Sequence, residues 1–567
     1  MDENKRKEIE EKISRLPSGG ITYKKIYGKS YAYYQWSEGG KQHCRRVKDE
    51  ELDSLSAGIA ERKALQASLC EDKASPAKKK PAAKAKRAVA QFVPPSKEDY
   101  SSSVKTGDSL RAFIEPVSSW PRRTLCSELE SYIYGESTDR VFIVCGLRRT
   151  GKTTILRHVI CDMKDEDFSK TAFVQPLPSA DFKSVKGDLD ILSEQGYRYI
   201  FIDEATHIDD FSRCVALFGN LYASSGIKII LSGTDSLAFA LASDVALYDR
   251  AYILDTSFIP FNDYAAVHPD RTIDDYLKSG GLLGGEAEMP AFSRRTSTDE
   301  YIKSAIVANI SNTLNRSGAN SGYTALKNLQ SDGSLYSEVF GFLTHLAEDY
   351  ILEVLSSSTI SDSLVKCFSN YCSSHSHGNE IDTEILGCLE KMGVIKSISR
   401  YNMELLNEDQ CRIIFSQPGL RYSLCKSSVE DFLADRMFES LSADERATIA
   451  DTILNDIKDR LLIDLVLIET SARKNTCNVF EMDFVDDSVD MVISNPDTTS
   501  CELYCVSSAT DITDIASPSL FDPLICQRVS HRCGNIEGKY IIYRGEDYHS
   551  DKAQYLNILT FLDSIRK

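Results

Sequence analysis

The 567-residue chain holds 66 Lys and Arg against 84 Asp and Glu, a net charge of −18, with 42% hydrophobic residues and 16 cysteines. That is enough apolar content for ordinary cores in about three or four domains, and no run approaches the roughly 20 apolar residues of a membrane span, so no membrane partner is expected. The charge is uneven: residues 1–90 hold 21 basic and 13 acidic side chains, or +8, which leaves 45 and 71, or −26, for the remainder. Any polyanionic partner is therefore expected at the front end rather than on the acidic body. The opening MDENKRKEIEEK is charged and lacks the apolar stretch of a secretory signal, which points to a cytoplasmic protein. The cysteines show no paired C-x-x-C spacing. Cys501 with Cys505, or Cys367 with Cys372, has no second half, so reduced and mostly buried thiols are expected. His375 and His377 in SSHSHGN read as solvated rather than ligating.

In chain order, residues 1–16 read as a short charged helix. Residues 19–47 then show three short strands, broken at Tyr27-Gly28-Lys29 and Glu38-Gly39-Gly40. Tyr23, Tyr31, Tyr33, Tyr34 and Trp36 alternate there with Lys24, Lys25, Lys29, Lys41, Arg45 and Arg46. The pattern suits phosphate contact with base or sugar packing, and equally suits the core of a tiny domain. A helix is expected from Asp49 to Leu69. The Lys-, Ala- and Pro-rich linker that follows carries Lys78, Lys79, Lys80, Lys84, Lys86 and Arg87, as a plain tether or as a sequence-independent nucleic-acid contact. Residues 19–90 are thus the candidate DNA or RNA surface.

From Arg122, RRTLCSELESYIYG reads as an amphipathic helix leading to VFIVCGLRRTGKTT at 141–154. An apolar strand, then G-x-x-x-x-G-K-T, then a helix start is a phosphate-binding loop. Gly146 and Gly151 allow the tight turns that point backbone N–H groups inward, and the helix adds its positive dipole end. The candidate nucleotide contacts are Gly146, Leu147, Arg148, Arg149, Thr150, Gly151, Lys152, Thr153 and Thr154. Lys152 is assigned to the β- and γ-phosphates and Thr153 to Mg²⁺. The next elements are a helix over 153–163 and a strand near 171–174. The strand YIFIDE at 199–204 ends in two carboxylates, as a Walker B strand does. Asp203 is the second Mg²⁺ residue and Glu204 the group that polarises the attacking water.

A helix over 211–224 precedes the strand IKIILSGTDS, whose end carries Ser232, Thr234 and Asp235 as candidate γ-phosphate sensors or as plain caps. Arg250 is a candidate γ-phosphate contact, in cis or from a neighbouring subunit, or else a surface arginine. Strands alternating with helices predict a parallel sheet covered on both faces. Residues 300–400 read as mainly helical, and EIDTEILGCLEKMGVIKSISRYN has the shape of a helix pair with a wing strand.

Several stretches, taken in order, resemble one family: GLRRTGKTT, YIFIDEATHIDDF, KIILSGTDSLAF, DRAYILDTSFIPFNDY, YLKSGGLLGG, IIFSQPGLRYSLC and DRLLIDLVLIE. They look like bacterial and archaeal AAA-type ATPases with a winged helix and a C-terminal domain similar to a PD-(D/E)xK nuclease core. The resemblance covers about residues 110–567 and implies ATP binding with slow hydrolysis. The N-terminal module is similar to a β-meander-plus-helix unit, and to the arm-type DNA-binding domains of tyrosine recombinases. A nuclease core needs carboxylates for a divalent metal and a lysine beside them. SVDMVIS offers Asp490, or EMDFV offers Glu481 and Asp483. CELYCVSS puts Cys505 and Ser507 where the family has Glu and Lys, or Glu502 with Tyr504. Neither register restores the triad, so a binding or packing platform without nuclease activity is implied.

The expected fold is α/β: a P-loop NTPase parallel sheet of AAA/ASCE type, a helical winged-helix region and an α/β nuclease-like C-terminal domain, after a small β-plus-helix module. The borders are 1–70, 71–105, 106–300, 301–425 and 426–567. The expected function is Mg²⁺-dependent ATP hydrolysis associated with DNA. The alternative is a nucleic-acid or protein adaptor with ATP as a switch ligand. A homo-oligomer or a protein partner at the C-terminal domain is compatible with either.

Overall fold

Every residue of Val141–Cys145 is apolar, and a strand of that kind must be covered on both faces. A computed structural model shows how. It describes residues 100–565, apart from 137–138, 179, 210, 246–249, 285–291, 317–322, 358–361, 374–379, 404–408, 475, 485–486 and 516–517; ahead of residue 100 it describes chiefly 20–26, 29–38 and 41–47. Contacts divide the chain into two units, 1–91 and 92–567. The helix expected over 1–16 (all but residue 12), most of that over 49–69, the basic run 78–87 and the loop of His375 and His377 lie outside the described residues.

In the first unit, β1 (Gly20–Ile26), β2 (Lys29–Glu38) and β3 (Lys41–Arg46) form an antiparallel meander. The registers pair Ile26 with Lys29 and Glu38 with Lys41, so both breaks fall where the turn residues predict. Among the candidate aromatic and basic side chains, Tyr34 is buried, while Arg45 is exposed and pairs with Glu51 at 2.9 Å.

In the second unit, a six-stranded sheet has the order β4-β6-β7-β8-β5-β9. The strands are β4 (Ser103–Lys105), β5 (Val141–Cys145), β6 (Thr171–Gln175), β7 (Tyr199–Ile202), β8 (Lys228–Gly233) and β9 (Ala251–Asp255). All neighbours are parallel except β4, an antiparallel edge strand. Alternation along the strands sorts their side chains to two faces. Val141 and Ile143 pack with Ile200, Ile202, Ile229 and Leu231 on one face; Phe142 and Val144 pack with Phe173, Phe201 and Ile230 on the other. Helices α1 (Cys126–Tyr134) and α2 (Lys152–Cys161) cover the second face. The first is covered by α3 (Phe182–Glu194) and α4 (Phe211–Leu217). The helix expected over 211–224 ends as α at Leu217 and continues as a π turn, Phe218–Tyr222. One strand, β8, stands between the phosphate-loop strand β5 and the Walker B strand β7, and the whole is consistent with a P-loop NTPase core.

The chain continues through α5 (Phe261–Val267), α6 (Ala308–Arg316), α7 (Leu335–Ser357) and α8 (Glu380–Lys391). The hairpin β10 (Ile395–Asn402) and β11 (Asp409–Phe415) follows, then α9 (Pro418–Leu433) and α10 (Ala443–Arg473). The remaining strands are β12 (Asn478–Asp483), β13 (Ser488–Asn495), β14 (Ser500–Val506), β15 (Asn535–Tyr543), β16 (Tyr548–His549) and β17 (Gln554–Asn557). The hairpin that reads as a wing also pairs with β12, Arg400 opposite Glu481, and so joins an eight-stranded mixed sheet, β11-β10-β12-β13-β14-β15-β17-β16. Two expected borders, 300 and 425, fall inside the helices Arg295–Tyr301 and Pro418–Leu433. One apolar cluster runs from Leu147 to Leu562 across both, so no break in packing marks them.

The junction between hairpin and sheet is ionic. Arg412 Nε donates to Asp464 at 2.7 Å, and its Nη1 donates to both oxygens of Glu481 at 3.1 Å; all three residues are buried. Arg460 bonds Glu353 at 2.8 Å and Glu481 at 3.1 Å, and Arg400 bonds Glu353 at 2.7 Å. Burial alone would raise Glu353, but the guanidiniums of Arg412, Arg460 and Arg400 hold it down at about 2. Glu481 and Asp483, one candidate metal pair, are therefore engaged with arginines; Arg400 Nε donates to Asp483 at 2.5 Å. Asp490 accepts Val506 N–H at 2.8 Å, and Glu502 accepts from Tyr504 at 2.9 Å.

Candidate functional site

Gly146 leaves β5 at φ 151°, where a Cβ would lie 2.2 Å from Thr256 Oγ1, so the loop closes only around a glycine. Gly151, at φ 83°, precedes α2 and offers no side chain to cap it. Ile155 N–H donates to Gly151 O at 2.9 Å, and the N–H groups of the first helical turn have no intrahelical acceptor. The loop is braced from behind. Thr150 Oγ1 donates to Leu147 O at 2.9 Å and meets Thr256 Oγ1 at 2.8 Å. Arg123, buried, donates to Thr150 O at 2.6 Å and to Phe258 O at 3.1 Å, and pairs with Asp263 at 3.3 Å. Arg149 holds a left-handed φ of 65°, and its carbonyl accepts Leu283 N–H at 2.8 Å.

The parallel sheet puts the ends of β5, β7 and β8 at one edge, which brings the two acidic residues to the loop. Thr153 Oγ1 donates to Asp203 Oδ2 at 2.9 Å, and Ser232 donates to the other Asp203 oxygen. Glu204 sits at φ 53°, an uncommon conformation for a side chain with a Cβ. Its Oε2 accepts from both Thr234 N–H and Thr234 Oγ1 at 3.1 Å. Lys152 is 5% exposed, and its ammonium donates to Gly146 O at 2.9 Å and Leu147 O at 2.7 Å. Burial lowers the Lys152 pKa, with Glu204 and Asp203 opposing; burial raises that of Asp203. An ammonium, a hydroxyl, two carboxylates and an uncapped helix start therefore share one corner.

A cavity of about 920 Å³ opens over this corner, at the upper end of the range for small-molecule sites. Arg148, Arg149, Gly151, Lys152, Thr153, Thr154, Glu204 and Thr234 line it. Gly146, Leu147, Thr150, Asp203 and Ser232 do not: Leu147 packs in the core, Thr150 braces the loop, and Ser232 stands behind Asp203. Ser232 thus anchors the Asp203 carboxylate. Asp235, buried, accepts from Asn312 at 3.4 Å.

Arg250 does not reach the site in cis. It lies where β9 begins, its carbonyl accepting Val141 N–H at 3.0 Å and its side chain donating to Asn220. The phosphate loop leaves the opposite end of β5, roughly 16 Å away at about 3.3 Å per residue. Sequence reasoning missed Asp263, Thr256, Arg123, Trp120, His207 and His268, the last four also lining the cavity. Nothing local marks the Arg123–Asp263 pair, whose partners are 140 residues apart.

No curated protein matches this chain. Among the described residues, no helix is long and apolar enough to cross a membrane. Residues 138–265, which run from the start of β5 through β9 into α5, match the family model of an AAA domain, and this supports an AAA-type, nucleotide-binding P-loop ATPase for that part of the chain.

Proposed function

We propose that the chain is a slow, Mg²⁺-dependent ATP hydrolase. The observation that carries this is the hydrogen bond of Thr153 to Asp203, which joins the two motif ends read 50 residues apart. Oxygen donors of that kind suit Mg²⁺, and Thr153 and Asp203 are the residues that would hold it. Mg²⁺, when bound, would offset the negative charge of the phosphates. Lys152 moves off the carbonyls of Gly146 and Leu147 to pair with phosphate, while the free N–H groups at the start of α2 bind phosphate oxygens. Glu204 orients the attacking water once its carboxylate leaves Thr234. The test is turnover by Glu204→Gln, which is expected to keep ATP affinity and to lose hydrolysis; wild-type turnover would refute the base assignment.

A second reading is an adaptor in which ATP is a switch ligand for a nucleic-acid partner. It draws on the restraint of Glu204 by Thr234 and on the +8 front end. Turnover of the full chain with and without DNA separates the two: a DNA-dependent rise favours the hydrolase, and DNA binding that needs ATP without turnover favours the switch.

A further inference from the structure

The cavity of the proposed ATP site has two kinds of lining: phosphate-binding groups of the loop and strand ends, and beside them Trp120, Pro121, Val267, His268, Leu283 and Gly284. Trp120 is 51% exposed, an expensive way to place the largest apolar side chain unless a ligand covers it. Its position is fixed on both sides. Trp120 N–H donates to Val117 O at 3.0 Å, and Val117 is fully buried. Three residues on, Arg123 is buried and bonded to the loop carbonyl of Thr150 at 2.6 Å. Pro121 stiffens the short span between. The His268 ring lies 4.7 Å from that of Tyr264, which is itself 4% exposed. An indole three residues from the arginine that braces the phosphate loop, in a cavity also lined by an imidazole and apolar groups, is a surface for a flat aromatic ligand tied to phosphates.

We propose that Trp120 stacks on the nucleobase, and that this stacking selects purines by ring area. The inference rests on the ATP-site reading above and deepens it. Beside the phosphate-binding groups, the polar side chains of the lining are Trp120, Arg123, His207 and His268, and Arg123 is already bonded to Thr150, Phe258 and Asp263, so amino and keto purines are separated weakly. Strong rejection needs a built set of hydrogen-bonding partners. Pyrimidines, with one ring, lose stacking area and bind more weakly.

The chain has two tryptophans, so Trp36→Phe leaves Trp120 as its one indole fluorophore. In that background Mg²⁺-ATP is expected to quench fluorescence over the concentration range in which calorimetry shows binding. Mg²⁺-tripolyphosphate, which has no base, is expected to bind without quenching. Trp120→Ala is expected to weaken ATP about tenfold, the usual scale for one base stacked on an aromatic side chain. It leaves tripolyphosphate affinity unchanged, and Trp120→Phe recovers most of the loss. Unchanged ATP affinity in Trp120→Ala, or UTP bound as tightly as ATP, overturns the stacking assignment while the phosphate site stands. Equal losses for ATP and tripolyphosphate overturn it too, because Trp120 would then only support the loop. Failure of the Trp36→Phe protein to bind either ligand removes the phosphate site and this inference together.

Discussion

Thr153 and Asp203 share a hydrogen bond where the proposed reaction needs a cation, so each has a measurable burden. Thr153→Val and Asp203→Asn are each expected to raise the Mg²⁺ concentration for half-maximal turnover at least about tenfold, the scale of losing one bond to a charged group. Unchanged Mg²⁺ dependence in both would contradict the assignment. At this scale the sequence was most legible where chemistry is contiguous: Lys152, Thr153, Asp203 and Glu204 lie in two short runs, and parallel strand ends bring them together. It was least legible where a residue acts from afar. Asp263 anchors Arg123 from 140 residues away, and the choice left open for Arg250 loses its cis option only once the fold shows at which end of β9 it falls.

Two elements carry the body against the phosphate loop. Helix α10 opens on a capping box, with Ser442 and Glu445 bonding each other's backbone N–H, and runs to Arg473. Near its end Glu469, fully buried, accepts Phe261 N–H at 2.7 Å, the first residue of α5. Burial raises Glu469 to about 7, only partly offset by that bond. A carboxyl with a folded pKa above its unfolded value of 4.5 binds more protons when folded, so it subtracts stability as pH rises from about 4.5 to about 7. Glu469→Gln, which still accepts from Phe261, is expected to flatten this fall and to gain on the order of 2–3 kcal/mol at pH 8, with little change at pH 4. Equal denaturant midpoints for both proteins at pH 8 would count against a strained carboxylate. Glu353 has the opposite sign: its folded value of about 2 adds stability above 4.5, and that contribution is lost as pH falls toward 2.

The ionic junction gives a second test at this scale. Arg412→Met takes one guanidinium from the buried carboxylates Glu481 and Asp464 and is expected to cost about 3–5 kcal/mol. Arg412→Lys recovers only part, since an ammonium cannot match the fork. A denaturant shift equivalent to less than about 1 kcal/mol would show that the cluster relaxes around the loss. Of the helix pair and wing strand expected over 380–402, the segment forms one helix, Glu380–Lys391, and the strand Ile395–Asn402. The strand's membership in the eight-stranded sheet was not legible, because the pairing of Arg400 with Glu481 joins segments about 80 residues apart. Helix α3 was passed over because Gly187 and scattered charges blur its apolar face of Val185, Leu189 and Leu192.

Over the whole molecule, the charge split is the feature composition states most clearly: +8 in residues 1–90 and −26 beyond. If the front end meets nucleic acid, full-chain affinity should fall by about 10³ or more between 50 and 200 mM salt, as phosphate contacts release counterions. A salt-independent affinity, or none at 50 mM, would remove the nucleic-acid reading. The antiparallel β1–β3 meander was legible in full from its alternation and turn residues. The merging of 92–567 into one unit was not, because a shared core is a property of packing that leaves no compositional border. Nucleotide binding by the whole chain depends on the grip of the phosphate loop. Calorimetric titration of Mg²⁺-ATP into the intact chain should give saturable binding at one site per chain, and Lys152→Ala should abolish it. No heat from folded wild-type protein, or the same isotherm from Lys152→Ala, would contradict it.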